Sequence, residues 1–509
     1  MKKTFYITTP IYYVNDKPHI GHAYTSIAAD VLARHHRLLG DEVVFLTGTD
    51  ENSQKNVEAA QKAGVADMKE YLDTQASIWK KTWEDLGITY TDFIRTTEER
   101  HKKSVYAFFE KVHAKGDIYK GSYKGYYCVA CEAFVTESDL LEGKLCPIHK
   151  KPVDFIEEEN YFFAASRYRD QVLAYIEANP DSVQPASRRH EVVNYIKDHF
   201  QDVSISRQGG SWGIPLPIDE THVIYVWFDA LVNYLTAVGY GQDDVRFEKF
   251  WPVDLHLVGK DIIKFHCALW PAMLLSAGLP LPKKVFAHGF FTIDGEKISK
   301  SLGNTIDPVA LAQRGGVDAL RYFLLREIRF GEDGDFSFQR YEERYVSDLS
   351  KGIGNTVSRI AALAQKVPVD DLRGDIDAEM GAPIREAFQT AQATMWAAFE
   401  NCAFDRALES LWMAITEMDR YIEKHKPWEL AKNDPAQFVV VMRPLCEGIS
   451  ALGLLVRPFM PSTAAKIDGM LGLVREQYPE QCYGAIFAGT VVKGDALFPP
   501  LEVKGEDAL

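Results

Sequence analysis

The strand–helix–strand pattern of residues 4–48 constrains this chain most. The chain opens on an apolar run, "FYITTPIYYV" (5–14), and "TFYITT" (4–9) has the β-branched and aromatic texture of a strand. It leads through "NDKPHIGHAY" (15–24) into "YTSIAADVLARHHRLLG" (24–40), whose apolar residues recur at helical spacing and which stops on Gly40. "DEVVFLTG" (41–48) is strand-like again. A helix between two strands returns the chain to the same end of the sheet, so the strands run parallel and an α/β domain begins here.

The chain has 509 residues, too many for one core, so several domains are expected. Helical patterns continue around "MKEYLDTQASIWKKTWEDLG" and "ERHKKSVYAFFEKVHAKG". From about 117 to 222 the texture changes to Tyr, Gly and charge, which predicts an insertion. Buried-strand texture returns at "HVIYVWF" (222–228), "VDLHLVG" (253–259) and "KVFAHGFF" (284–291), with helical "DIIKFHCALWPAMLLSAG" before the last. After about 340, "MWAAFENCAFDRALESLWMAITEMDRYIEKH" and "QFVVVMRPLCEGISALGLLVRPFM" predict packed amphipathic helices, ending in a short irregular tail.

Lys and Arg number 57 against 72 Asp and Glu, a net charge of −15. That excludes a protein whose whole surface coats nucleic acid, though not one with a local basic face. No apolar run is long enough for a membrane helix and no signal-peptide cleavage pattern follows the N-terminus, so a cytoplasmic protein is expected. Of seven cysteines, Cys128, Cys131 and Cys146 cluster, which suggests a metal site among otherwise reduced thiols.

Three motifs carry chemistry. The junction after the first strand lacks the glycines of GxGxxG or a P-loop. Instead His19 and His22 flank Gly21 at a helix start. Such a start offers N–H groups and a partial positive charge to an anion. The histidines add donors for charge developing at a phosphorus, and Gly21 lets a flat base or ribose approach the backbone. The second motif, "DGEKISKSLGN" (294–304), alternates Lys297 and Lys300 with Ser299 and Ser301 between Gly295 and Gly303, a loop able to grip a leaving pyrophosphate. The third, Cys128-x-x-Cys131 followed by Cys146-x-x-His149, supplies four ligands at ribbon spacing. Four protein ligands fill a tetrahedral Zn²⁺, so one structural zinc is expected. Each motif alone also has a plain reading: helix-start histidines, solvated lysines, scattered thiols.

The two signatures in this order resemble class I aminoacyl-tRNA synthetases. "TTPIYYVNDKPHIGH", "FLTGTDENSQK", "YVWFDALVNY", "LVGKDIIKFH", "HGFFTIDGEKISKSLGN", "GNTVSR" and "KPWELAK" together are similar to the methionyl-tRNA synthetase family, from the N-terminus to roughly residue 500. Two departures are small. Ile298 stands where the second signature usually has Met, and Leu231 where some members have Pro.

The resemblance implies a Rossmann-like parallel sheet split by a zinc-binding insertion, followed by an α-helical bundle that binds the anticodon. The expected boundaries are 1–116 and 223–300 for the catalytic halves, 117–222 for the insertion, 301–346 for a stem-contact connector and 347–509 for the helical domain. It implies methionine activation by ATP with Mg²⁺, then transfer to tRNA(Met). His19, His22, Lys297 and Lys300 would be catalytic, and Gly21, Gly259, Asp261, Ser299 and Ser301 would join them around ATP. Ile11, Tyr13, Asp50, Trp227, Ala230, Leu231, Tyr234, Ile262 and His266 would hold methionine. Asn355, Arg359 and Trp428 would contact the CAU anticodon. With no further tRNA-binding module expected after residue 509, a monomer is the expected state. The alternatives are weaker. Synthetases for Leu, Ile or Val carry larger editing insertions, one for Cys places zinc in its pocket, a small HxGH nucleotidyltransferase has no use for the helical third, and an inactive RNA-binding relative need not keep both signatures.

Overall fold

The computed structural model describes residues 2–128, 133–135, 137–147, 150–209, 212–293, 296–297, 305–372, 375–484 and 491–501. Its centre is a six-stranded sheet, parallel throughout. In chain order the strands are β1 (Thr4–Tyr13), β2 (Glu42–Asp50), β3 (Asp92–Arg95), β4 (Val183–Gln184), β5 (Leu255–Gly259) and β6 (Val285–His288), and in space they run β3-β2-β1-β5-β6-β4. The chain leaves β1 towards β2 on one side and returns much later to β5 on the other. That reversal opens a crevice beyond the carboxyl ends of β1 and β5, where α/β sheets bind their ligands.

Alternation along the strands feeds two cores. Ile7 and Phe45 pack with α1 (Ile20–Leu38), in an apolar cluster that continues without a break into the C-terminal helices. Tyr6, Val44 and Leu46 face the other way, onto helix Glu99–Ala114 and Trp270. The sheet is thus covered on both faces, as its nearly continuous apolar strands require.

The segment 117–222 forms a second sheet in which Ile118–Cys128 pairs antiparallel with Asp154–Phe163, flanked by Ala133–Val135 and Val203–Ser204. It is not wholly separate, because β4 lies inside this range and pairs with β6 to complete the central sheet. A two-residue strand carries no readable period. The expected strand "HVIYVWF" is also only half a strand. Asp219–Ile224 belongs to a small antiparallel sheet, and Val226–Ala230 is helical. Tyr225, Val226 and Phe228 are all buried, and a short buried run has the same apolar signal in either conformation.

The C-terminal third is helical as its periodicity predicts. α2 (Val317–Arg326) leads into α3 (Asn355–Ala364), α4 (Phe404–His425) and α5 (Pro435–Val456). In α4, Leu408, Leu411, Ile415, Met418 and Ile422 form the buried stripe. Among the described residues α5 alone is long and apolar enough to cross a membrane, and 78% of its most apolar window is buried inside this fold. The tail lies irregularly over the bundle, with Leu497 and Phe498 buried and Tyr345 donating to the Pro499 carbonyl at 2.6 Å.

Candidate active site

The crevice is entered at the cap of α1. His19 is the N-cap residue, extended at φ −117°, and its Nδ1 accepts the Gly21 amide at 3.1 Å. His22 reaches back, its Nδ1 accepting the His19 amide at 3.2 Å. This is a reciprocal capping box built from two imidazoles. The rings stack at 3.7 Å between centroids. An Nδ1 that accepts a hydrogen bond carries no proton, so each neutral ring bears its proton on Nε2. The motif therefore caps with one nitrogen and presents a donor with the other.

This geometry corrects one expectation and gives Gly21 a second reason. The first helix amides do not face an anion, since Ile20 N–H donates to the Ile306 carbonyl at 3.0 Å and Gly21 N–H to His19. Gly21 is needed inside the protein: a Cβ there would lie 3.0 Å from His19 Cε1 and 3.1 Å from its Nδ1. Folding the ring over the helix start consumes the space that a side chain would need.

Beyond the cap lies a cavity of about 370 Å³. Its walls include His19, Gly21, His22, Gly259 and Asp261, together with Ile11, Tyr13, Asp50, Trp227, Ala230, Leu231, Tyr234, Ile262 and His266. Strand ends, a short helix and the turn after β5 bring these distant residues to one place. Gly259 admits the folded-back Asp261, whose Oδ1 would sit 2.6 Å from a Cβ at that position.

The apolar side is ordered by aromatic and histidine contacts. Trp227 stacks on Phe265 at 3.8 Å with planes 3° apart. His266 Nδ1–H donates to the Ile262 carbonyl at 3.0 Å, which leaves Nε2 to accept the Tyr234 hydroxyl at 2.8 Å. Burial drives the His266 pKa down to about 4 and raises that of Tyr234. The pair is thus neutral at physiological pH, suited to a thioether rather than an ion.

Asp50 ends β2 and is nearly buried. A polar lattice that sequence reasoning missed fixes its loop. Asn56 Nδ2 donates to the Asp50 carbonyl at 2.9 Å, Glu51 N–H to Thr96 Oγ1 at 2.8 Å, and Asn52 Nδ2 to Asp229 Oδ2 at 2.7 Å. Asp229 Oδ1 meets His101 Nε2 at 2.6 Å. His288 also lines the cavity, bound to Thr25 Oγ1 at 2.6 Å and to the Gly289 carbonyl at 2.7 Å. "TDEN" and "WFDA" are visible as motifs, but their pairing across the fold is not.

Comparison with known proteins decides the family. The model described as tRNA synthetases class I (M) matches residues 5–153 and 137–361, and that for the anticodon binding domain of methionyl tRNA ligase matches 367–503. The chain belongs to the methionyl-tRNA synthetase family. It is similar to the methionine–tRNA ligase of Caldanaerobacter subterraneus, 45% identical over 99% of this chain and 80% of that one. The Thermotoga maritima ligase is 44% identical over 98% of this chain and 81% of its own length. In structure it matches Mycobacterium tuberculosis methionyl-tRNA synthetase in complex with methionyl-adenylate, at TM-score 0.92 and 39% identity, covering 98% of this chain and 100% of that one.

The strand that precedes the second signature lies at the cavity wall. Phe291–Ile293 pairs with Glu296–Lys297, with Thr292 opposite Lys297, and Phe291 lines the cavity. Ser299, Lys300 and Ser301 lie outside the described residues, as does the Lys297 side chain.

In the helical domain, Asn355 is exposed one turn before Arg359 on α3. The Arg359 guanidinium stands 5.9 Å over the Trp428 ring and pairs with Glu423 at 2.8 Å. Trp428 is 36% exposed, so part of the indole reaches the surface.

In the insertion, Cys128 ends its strand opposite Ala133, and Cys146 begins a tight turn in which Lys150 N–H returns to the Cys146 carbonyl at 2.8 Å. Both cysteines are buried. No group of three or more metal-holding side chains forms among the described residues, which do not include Cys131 or His149. Two buried sulfurs, at a hairpin end and a tight turn, suit a soft-ligand Zn²⁺ site.

Proposed function

We propose that this methionine–tRNA ligase activates L-methionine and charges tRNA(Met) through the cavity residues named above. One observation carries the reading: two tautomer-locked histidines, a buried carboxylate and an uncharged aromatic slot share one cavity at the sheet's switch point. Asp50 takes the substrate ammonium, and Trp227, Tyr234 and His266, with Ile11, Tyr13, Ala230, Leu231 and Ile262, take the thioether chain.

In the first step a methionine carboxylate oxygen attacks the α-phosphorus of ATP. The bond from that phosphorus to the bridging oxygen breaks, and pyrophosphate leaves with its electron pair. His19 and His22 donate Nε2–H to the oxygens that gain charge, while Gly259 and Asp261 adjoin the nucleotide. Lys297, Ser299, Lys300 and Ser301 hold the leaving pyrophosphate, and Mg²⁺ enters with ATP. In the second step the 2′-hydroxyl oxygen of the terminal adenosine attacks the activated carbonyl, the bond from that carbon to the phosphate oxygen breaks, and AMP leaves from beside His19 and His22 with its phosphate taking the hydroxyl proton. The enzyme's share is position and fixed dipoles.

Asn355, Arg359 and Trp428 read the anticodon, Trp428 by stacking on an unpaired base. Cys128, Cys131, Cys146 and His149 hold one Zn²⁺ that shapes the insertion and takes no part in the reaction. Buried thiols such as Cys267 and Cys446, which form no disulfide, suit a cytoplasmic location.

The test is ATP–pyrophosphate exchange with methionine, leucine, isoleucine and cysteine in parallel, without tRNA. Exchange with methionine alone is expected. Exchange with another amino acid overturns the pocket assignment, and silence with all four overturns the catalytic one.

A further inference from the structure

Helix α1 carries His19 and His22 at its start, packs on β1 and β2, and meets the C-terminal helices where His35 touches Trp396 and Phe399. Midway along, Asp30 is wholly buried against Arg321 of α2, itself wholly buried, at 2.7 Å. The same guanidinium donates to the Pro458 carbonyl at 3.0 Å and the Phe459 carbonyl at 2.7 Å, in the link between α5 and the next helix. Asp30 also binds Arg34 at 2.6 Å and the Thr89 amide at 2.8 Å. Burial alone would raise the Asp30 carboxyl, but the charges of Arg321 and Arg34 hold it below its usual value. Two further contacts reinforce the junction. Asp318 accepts the Thr463 amide and hydroxyl, and the Tyr478 amide donates to the Leu38 carbonyl at the far end of α1.

A fully buried ion pair is a poor device for stability alone, since well-packed apolar groups often do as well. A guanidinium fork does what an apolar side chain cannot: it fixes several segments in one relative placement. The proposed active-site histidines and the proposed anticodon residues sit in units that this fork joins. We propose that Arg321 is a positioning residue that ties α1 to the C-terminal helical unit, so that tRNA docking there sets the placement of His19 and His22 around the phosphate that leaves as AMP in the transfer step. The inference rests on the anticodon and phosphate roles assigned above.

The decisive variant is Arg321→Lys. An ammonium keeps the charge beside Asp30 but does not reach both carbonyls at once. Exchange without tRNA is expected within about twofold of wild type, while kcat for charging full-length tRNA(Met) falls about tenfold with little change in its KM. Parallel losses in exchange and charging would mean a merely structural role and overturn the proposal, and so would no loss in either. Should the variant not fold, hydrogen exchange on the wild type decides. A CAU anticodon stem–loop RNA is expected to slow exchange of the Ala23–Ser26 amides, and unchanged rates overturn the coupling. The stem–loop's own Kd is read separately. An RNA that does not bind overturns the anticodon assignment, and the coupling with it.

Discussion

His19 and His22 cap the same helix with the same ring atom, His19 Nδ1 taking the Gly21 amide and His22 Nδ1 taking the His19 amide. Ser or Asp would cap as well. Neither would then have a second, rigidly aimed N–H donor to offer a phosphate. The motif thus solves a folding problem and a chemical one with the same two side chains. Stacking at 3.7 Å makes the rings one unit, so a shift in either moves both.

Gly21→Ala is therefore expected to act on catalysis more than on folding. The added methyl pushes on the His19 ring at 3.0 Å, and through it on His22. A displacement of this kind costs roughly 10²-fold in rate when the geometry is tight, whereas loss of a cap costs only about 1 kcal/mol of stability. Exchange kinetics beside thermal melts check this. The expected pattern is a large fall in kcat, nearly normal methionine binding and a small fall in Tm. Unchanged kcat would show that the ring has room to move.

Tyr234→Phe is expected to weaken methionine binding. The hydroxyl is the donor to His266 Nε2, and its removal leaves a buried acceptor unmet, at about 1–3 kcal/mol. The ring also forms the cavity wall, so some loss appears as a raised KM for methionine. KM for ATP is expected to stay within about twofold, since a change of one pocket contact adds little to a site beyond it. An equal rise in both would assign Tyr234 to the general packing of the core.

The sheet, the cap position and the helical third are legible from sequence because each has a period or a punctuating residue. β5 ends at Gly259, α1 stops near Gly40, and α4 carries an unbroken apolar stripe, whereas β1 runs on to Tyr13, past the Thr9 at which its sequence pattern stops. β4 is not legible because two residues make no pattern. The reason for Gly21 is hidden because it depends on where the His19 ring folds. Arg321 is hidden too, since a basic residue in an amphipathic helix reads as solvent-facing, and only the carbonyls of Pro458 and Phe459 explain its burial.

Trp428→Ala is expected to separate the two halves of the reaction. The indole is an exposed platform under Arg359, and a base stacked on such a ring contributes about 1–3 kcal/mol. KM for tRNA(Met) should rise by roughly 10-fold or more, with exchange unaffected. If exchange and charging decline together, the indole contributes to the fold and not to the RNA.

Stability is expected to fall on mild acidification, through histidines held neutral by burial. Burial lowers His35 to about 3, helped by neighbouring His36, and His266 to about 4. Burial also pushes His256 well below its usual value, with His266 adding to the effect, and it lowers His288. In the unfolded chain each titrates near pH 6.5. Above that value neither state is protonated and the full stability is present. Between about pH 6.5 and 4 the unfolded chain takes up protons that the folded one refuses, so each such histidine removes roughly 1.4 kcal/mol per pH unit. The lowered Asp30 carboxyl acts in the same direction but at lower pH, since only below about pH 4 does aspartate in the unfolded chain take up a proton that the folded one refuses. Apparent unfolding midpoints at pH 7.5, 6 and 5 would decline with increasing slope. A flat profile would mean that the imidazoles are hydrated in the folded protein and accept protons there as readily as in water.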